Sequence, residues 1–239
     1  MKLQGAVAQL VTQVTEVAKI MGIDEVAIED SDRGPLLRGF SATHGAPTLI
    51  CHTTDIKLPF RAFAINSCSL YTAKTDLALS QDENYETQLT LDEHSNNVTS
   101  VTFKGKKFKL AFNAGNPATV RAPKAVKDVV KLKFAVNPDA VTTLSKSMRA
   151  MEAEYVTVIS DGDTVKFEIS TGPKDIFEYE VSDQVKAIEG DDATLVMSYP
   201  FKTFFPILKH CDQGVVFVTQ RGVLNCTING INIYAFPRK

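Results

Sequence analysis

The chain has 239 residues with 26 basic and 28 acidic side chains, which gives a formal net charge of −2 at pH 7. Hydrophobic residues make up 44% and charged residues 23%, which is typical of globular proteins and argues against wholesale disorder. The near-neutral charge excludes a strongly cationic coat for nucleic acid, although it allows a local basic surface. The length predicts one large domain or two modest ones.

The first segment has the spacing of an amphipathic helix. Its apolar residues follow alternating steps of four and three, and Gly22 stands where a helix would end. Polar residues interrupt the run, so it predicts neither a secretory signal nor a membrane span. The apolar stripe comprises Leu3, Val7, Leu10, Val14, Val17 and Met21.

Alternating strands and one short helix are predicted for the rest of the first half. Asn66 or Ser67 is suited to cap that helix. Short turns are predicted at His44-Gly45 and, as a tight hairpin, over residues 103–106. The strands are predicted over residues 25–30, 35–43, 46–56, 58–65, 85–93, 96–103 and 106–114.

An irregular segment lies near the middle of the chain. It contains two prolines and small residues, and it shows neither helical nor strand periodicity. We therefore predict a first domain over residues 1–115, a linker over 116–128 and a second domain over 129–239.

The second half repeats the order of the first. Asn137 followed by Pro138 is a typical helix start, and a short fourth helix is predicted to begin at Pro200. Residues 17–30 can be laid over 144–163, because each runs from a helix through Lys-x-Met into a strand. Such a repeat favours a duplicated α+β unit. The strands are predicted over 129–136, 154–170 (with a turn at Asp161-Gly162), 176–181, 193–198, 214–220 and 222–236 (with a turn at Asn229-Gly230).

This organisation resembles the sliding clamps of DNA polymerases, which duplicate a unit of two helices and antiparallel strands around an irregular linker. The terminal INIYAFPRK is similar to the clamp terminus, where an aromatic strand runs into a short tail of proline and basic residues. The second half resembles the second domain of clamps from tailed phages and of eukaryotic PCNA over nearly its whole length. The first half matches mainly in element order.

The resemblance implies an α+β fold of two similar clamp-type domains, each with antiparallel sheets and two helices. It implies head-to-tail association into a closed ring, a homotrimer, whose helices surround double-stranded DNA. The replicative polymerase and the clamp loader are the implied partners, and they dock at the domain boundary. The expected location is the cytoplasm, or the host cytoplasm if the source is a virus.

The predicted helices carry more positive than negative charge. Six cations stand against Glu16, Asp76 and Asp139. Contact with the DNA backbone alone needs such a basic layer. The alternative is that exposed helix faces carry lysines anyway. The predicted DNA-binding residues are Lys19, Lys74, Lys146, Arg149, Lys202 and Lys209.

Two features of the helices depart from the clamp pattern. The first helix has Gln and Thr where clamps commonly have lysines. Pro206 falls inside the fourth helix and is expected to kink or shorten it.

Two strands of opposite charge are candidates for subunit contacts. If residues 106–112 and 174–183 are sheet edges, the basic one favours pairing with the acidic one of another copy. Such heterologous contacts close into a ring if the rotation allows. The alternative is that both are solvated faces of interior strands. The predicted interface comprises Lys107, Phe108, Lys109, Leu110, Phe112, Phe177, Glu178, Tyr179, Glu180 and Val181.

The linker and the terminal strand supply apolar residues for a groove that binds a partner peptide by a few anchors. The alternative is that the terminal strand, through Tyr234 or Phe236, packs into its own core. The predicted groove comprises Val120, Val126, Ala235, Phe236 and Pro237.

Sequence motifs of catalysis are missing: there is no G-x-S-x-G, no phosphate-binding G-x-x-x-x-G-K-S/T and no H-E-x-x-H. Cys51-His52 and His210-Cys211 are adjacent pairs whose side chains would point apart on a strand, so we expect no zinc site. Cys51 and Cys226 are expected to be buried thiols. We predict no enzymatic activity, no cofactor and no metal.

The prediction is therefore a DNA polymerase processivity factor that works by encircling DNA. Two alternatives remain at this stage. One is a monomeric clamp-like accessory protein that holds DNA by charge alone. The other is a β-rich viral structural or interaction protein. Solution mass distinguishes the three.

Overall fold

The computed structural model describes residues 1–32, 34–41, 48–51, 56–121, 128–172, 174–182, 186–187 and 194–238. The chain divides into two compact units. The first comprises Met1–Ser41 and Leu49–Pro123, and the second comprises Ala42–Thr48 and Lys124–Lys239. The main boundary, between residues 123 and 124, falls inside the segment that the sequence predicts as the linker.

The described residues of the first unit form two helices and two sets of antiparallel strands. One sheet has the order β1-β6-β7-β8, and the strands of the other follow the order β4-β3-β2-β5. A single 3-10 turn at Pro117–Thr119 begins the predicted linker. The elements are β1 (Lys2–Leu3), α1 (Gly5–Ile20), β2 (Val26–Glu29), β3 (Leu36–Ser41), β4 (Thr48–Cys51), β5 (Ala62–Ile65), α2 (Cys68–Gln81), β6 (Glu86–Leu91), β7 (Val98–Lys104) and β8 (Lys109–Asn113).

The second unit repeats this plan. Its strands follow the orders β12-β11-β10-β14 and β13-β9-β15-β16-β17. The predicted fold class, α+β with a duplicated unit of antiparallel strands and two helices, is confirmed. The elements are β9 (Val130–Ala135), α3 (Pro138–Met151), β10 (Tyr155–Asp161), β11 (Val165–Ser170), β12 (Ile176–Ser182), β13 (Lys186–Ala187), β14 (Thr194–Pro200), α4 (Phe201–His210), β15 (Val215–Thr219), β16 (Leu224–Ile228) and β17 (Ile231–Ala235).

The helix starts follow the predicted caps. The Ser67 hydroxyl accepts a hydrogen bond from the Leu70 N–H at 3.3 Å, and the Asn137 side chain accepts one from the Ala140 N–H at 2.6 Å. α2 is longer than predicted, with 14 residues. α4 keeps ten residues although Pro206 lies inside it.

The hairpin turns also follow the sequence, with one shift. Asn229 and Gly230 both have positive φ, 49° and 77°, as a two-residue hairpin turn requires. The turn predicted at 103–106 lies two residues later, because Lys104 pairs with Lys109 and the Gly105 N–H donates to the Phe108 carbonyl. The turn predicted at His44-Gly45 lies outside the described residues.

Aromatic clusters in the two cores fix the helices on the sheets. In the first unit, the ring of Tyr71 on α2 meets Phe63 and Phe103 edge to face. In the second, Tyr199 stacks on Phe204 of α4 at 5.4 Å, and its hydroxyl donates to the Gly222 carbonyl at 2.6 Å. Burying one such ring contributes about 1.5–3 kcal/mol.

Candidate nucleic-acid interface and subunit edges

α3 and α4 pack against each other in the second unit and leave an open groove of about 710 Å³ between them. α3 buries Ala140, Leu144 and Met148. A helix repeats every 3.6 residues, so Lys146 and Arg149 are left exposed. Both of them line the groove.

α4 supplies the opposite wall. Phe204, Ile207 and Leu208 are buried, and Lys209 is exposed on the groove. The groove thus brings together three of the predicted DNA-binding cations, Lys146, Arg149 and Lys209. Lys202 is exposed on the same helix but does not line the groove.

The groove is electropositive. Its described lining contains three cations and no carboxylate, and no described residue forms an ion pair with them. Burial and the neighbouring Lys209 charge lower the pKa of His210. Burial raises the pKa of the Cys211 thiol to about 11. The Cys211 thiol is therefore uncharged at neutral pH, and the positive charge of the groove comes from its lysines and arginine.

The first unit places its two predicted cations differently. Lys19 is exposed at the end of α1. Lys74 is half-buried on α2, and its Nζ lies 4.0 Å from the centre of the Phe112 ring. This cation–π contact holds Lys74 against β8.

Both predicted interface strands are edges of four-stranded sheets. Among the described residues, β8 pairs only with β7 and β12 pairs only with β11. The alternative that both are interior strands is therefore wrong. In the part of the chain that the structure describes, each edge leaves a row of backbone N–H and C=O groups without a partner strand.

The charges on the two edges are accessible. Lys107 and Lys109 are exposed at β8, and Glu178 and Glu180 are exposed on β12. On the neighbouring β11, Glu168 lies opposite Glu178 and Lys166 lies opposite Glu180, so these two residues add no net charge to the edge. The remaining predicted interface residues are half-buried, except Val181, which is buried; they are Phe108, Leu110, Phe112, Phe177 and Tyr179.

The residues predicted for a peptide groove are unequally accessible. Val120 is 2% exposed and packs with Ala27 and Ala64, and Ala235 is fully buried because alternate residues of β17 face inward. A partner cannot contact these two side chains in this conformation. Their burial contradicts the prediction that Val120 and Ala235 line a peptide groove. Phe236 and Pro237 are half-exposed, and Val126 lies outside the described residues.

Arg38 on β3 was missed by the sequence analysis. Its guanidinium donates to the carbonyl oxygens of Val120 at 3.0 Å and of Pro117 at 3.2 Å, and it pairs with Glu29 on β2. It therefore fastens the start of the linker segment to the first unit. A signal existed, because Glu29 and Arg38 have opposite charges in neighbouring predicted strands.

The described residues contain no group of three or more His, Cys, Asp and Glu side chains that could hold a metal ion. Cys226 is buried, as predicted, whereas the side chain of Cys51 and all of His52 lie outside what the structure describes. No described helix is long and apolar enough to cross a membrane.

Comparison by sequence finds no matching family model and no matching curated protein. Solved structures do match over nearly the whole chain. PCNA from Entamoeba histolytica superposes with a TM-score of 0.62 at 13% identity, and each chain is covered to 96%.

Two archaeal structures are equally similar. The PCNA2–PCNA3 complex from Sulfolobus tokodaii matches with a TM-score of 0.63 at 14% identity, covering 100% of this chain and 99% of the other. PCNA from A. fulgidus, solved with the C-terminal region of FEN-1 bound, matches with a TM-score of 0.63 at 12% identity, covering 97% and 96%. The chain therefore has the two-domain fold of the PCNA sliding clamps.

Proposed function

We propose that this protein is a sliding clamp: a non-enzymatic processivity factor whose ring encircles double-stranded DNA and tethers the replicative polymerase. The observation that carries the proposal is the pair of open sheet edges, basic at β8 and acidic at β12, in a chain with the clamp fold. We propose a homotrimer of the tailed-phage type that acts in the cytoplasm of the host.

The edges support head-to-tail assembly. Two β8 edges repel each other, as do two β12 edges, whereas β8 of one copy attracts β12 of the next. A heterologous contact of this kind uses two different surfaces on each copy, and it closes into a ring when the rotation permits. The interface proposed here is residues 107–112 of one copy against 177–181 of the next.

Exposed apolar side chains beside the edges support the same contact. Leu70 and Leu77 on α2 are each 53% exposed, and Ile176 at the start of β12 is 52% exposed. Apolar area of this kind, next to unpaired backbone groups, suits an interface between subunits.

The proposed DNA contact is electrostatic and independent of sequence. Lys146, Arg149, Lys202 and Lys209, with Lys19 and Lys74, attract phosphates and release counterions. Because a closed ring cannot leave the duplex, these contacts only need to be weak. Weak contacts, partly through water, permit sliding.

The proposed partners are the replicative polymerase and a clamp loader. Phe236 and Pro237 are the half-exposed apolar residues at the tail, and we propose that a short terminal segment of the polymerase binds there. A. fulgidus PCNA, which has the same fold, is solved with a C-terminal segment of FEN-1 bound.

Light scattering of the full chain across concentration tests this function. We expect the mass of a trimer for the wild type. The double variant Lys107→Glu/Lys109→Glu should dissociate where the wild type is assembled, and adding Glu178→Lys/Glu180→Lys should restore assembly. The matched control is Lys57→Glu/Arg61→Glu, which makes the same change of charge at exposed residues away from both edges.

Each unexpected mass in light scattering supports a different alternative. A wild type that stays monomeric at every concentration supports the accessory-protein alternative, and a larger assembly supports the structural-protein alternative. A charge-reversed variant that keeps the trimer mass contradicts the proposed edges.

A further inference from the structure

The groove between α3 and α4 has an apolar floor that contact with duplex DNA does not explain. Val141, Phe205 and Leu208 line it together with the cations. Phe205 is half-buried, and its ring lies 5.0 Å from that of Phe201. A duplex keeps its bases stacked inside and presents mainly phosphates and sugars to a helix face, so only the cationic rim would contact it.

Unpaired nucleotides need the combination that the groove offers. Proteins that bind single strands join a cationic track for the backbone to aromatic side chains on which bases stack. Here Lys146, Arg149 and Lys209 provide the charge, and Phe205 provides the aromatic face. No carboxylate in the described lining opposes a phosphate.

The size and the polar groups of the groove agree with such a ligand. Its volume of about 710 Å³ lies within the range of ligand sites, which is about 300–1,000 Å³. Thr142, Ser145 and Gln213 also line it and can bond to the edges of a base. A base is planar and apolar on its faces and polar at its edges, which matches this lining.

We propose that the α3–α4 groove binds single-stranded DNA, with a base stacked on Phe205 and the flanking phosphates held by Lys146, Arg149 and Lys209. The inference rests on the proposed clamp function and deepens it, because it names a second form of DNA for the same surface. Unpaired nucleotides occur wherever a polymerase copies a template, so the groove holds the strand beside the duplex that the ring encloses.

Fluorescence anisotropy of the full chain with a labelled 12-nucleotide oligo(dT), and with a duplex of the same length, tests the inference. The wild type should bind oligo(dT), and the affinity should fall with rising salt. Phe205→Ala should weaken this binding about 5- to 150-fold, the range that alanine substitution of a stacking aromatic gives. It should leave the duplex affinity unchanged, and Phe205→Trp should retain oligo(dT) binding.

Phe217→Ala is the matched control. Phe217 is also half-buried and also lies near a lysine, with Lys133 Nζ 5.5 Å from its ring, but it does not line the groove. This variant should bind oligo(dT) like the wild type. Circular dichroism and thermal melting of each variant separate a loss of contact from a loss of fold.

Two results would overturn the inference. One is a folded Phe205→Ala variant that binds oligo(dT) as the wild type does or that loses duplex affinity equally. The other is displacement of oligo(dT) by an acidic peptide of equal charge more effectively than by unlabelled oligo(dT), which would identify a peptide site.

The outcomes also separate this inference from the clamp proposal. A trimer that does not bind oligo(dT) removes the groove site and leaves the clamp. A monomer whose oligo(dT) binding depends on Phe205 retains the groove site and removes the ring.

Discussion

The two units have the same order of elements but place different side chains on their helices. α3 and α4 expose four cations, three of them around one groove. α1 and α2 carry Lys19, which is exposed, and Lys74, which rests on Phe112. The comparison indicates that the duplicated scaffold exposes most of its helix cations in its second half.

α2 differs from α3 in a second respect. It buries Cys68, Tyr71 and Ala78 on one side, yet Leu70 and Leu77 are more than half exposed on another. A helix with apolar residues on more than one face is suited to neighbours on more than one side. The first half therefore contributes an apolar surface where the second half contributes charge.

Removing the groove cations should have the largest effect on the difference between the two units. We expect Lys146→Ala/Arg149→Ala/Lys209→Ala to lower the salt dependence of duplex binding by about three phosphate contacts and to lower polymerase processivity. Lys19→Ala in the first unit should lower it by about one contact or less. The measurement is duplex affinity against salt concentration. If the two variants had equal effects per cation removed, the proposed difference between the two units in duplex binding would be contradicted.

Polar substitution on α2 tests the apolar role of the first half. Leu70→Ser/Leu77→Ser should weaken subunit association about 10- to 100-fold, because each leucine loses part of the roughly 1.5–3 kcal/mol that full burial gives. It should raise or preserve the melting temperature of the isolated subunit. Sedimentation across concentration measures the association. Unchanged association with an unchanged fold would place the leucines outside any interface.

Each unit anchors one end of the linker segment, and the strengths of the anchors should differ. Arg38→Met removes two hydrogen bonds to carbonyl oxygens and a partly buried ion pair, so we expect a loss of about 1–3 kcal/mol in the free energy of unfolding. At the other end the Asp128 carboxylate accepts the Arg221 N–H at 3.0 Å, but this hydrogen bond is exposed to solvent. Asp128→Ala should therefore cost less in urea unfolding. A larger cost for Asp128→Ala would reverse this ranking.

The smallest expected effect is the loss of stability in acid that arises from one loop in each unit. Backbone N–H groups of Lys106 and Asn84 lower the pKa of Asp82, and those of Thr164 and Asp163 lower the pKa of Asp161. Each carboxyl has a lower pKa in the folded protein than its usual value of about 3.9, so its ionised form stabilises the fold at pH values above about 3.9. This stabilisation is lost as the pH falls through the lowered pKa.

The measurement is the melting temperature of Asp82→Asn and Asp161→Asn against wild type as a function of pH. Both variants should melt below the wild type at pH 7, and the differences should shrink below about pH 4. A difference that persists at lower pH would assign the effect to shape and not to charge.

The sequence predicted what local patterns specify. The caps at Ser67 and Asn137 and the turn at Asn229-Gly230 depend on neighbouring residues, so they could be predicted. β1 and β13 have two residues each and show no periodicity. The length of α2 was missed because its apolar residues do not form one stripe.

The candidate site was predictable only in part, for the same reason. The charges of β8 and β12 and the helix spacing of Lys146 and Arg149 are local signals. The burial of Val120 depends on Ala27, Ala64 and the Arg38 guanidinium, which are distant in sequence. The groove floor likewise depends on how α3 meets α4, and no single segment specifies that.

Pro206 has a mechanical consequence for the groove. It has no N–H, so the carbonyl oxygen of Lys202 cannot receive the usual hydrogen bond from four residues ahead. A helix that lacks one such bond bends there more readily than an intact one. α4 is therefore expected to be the more compliant wall of the groove, and α3, whose proline stands at its first position, the stiffer one.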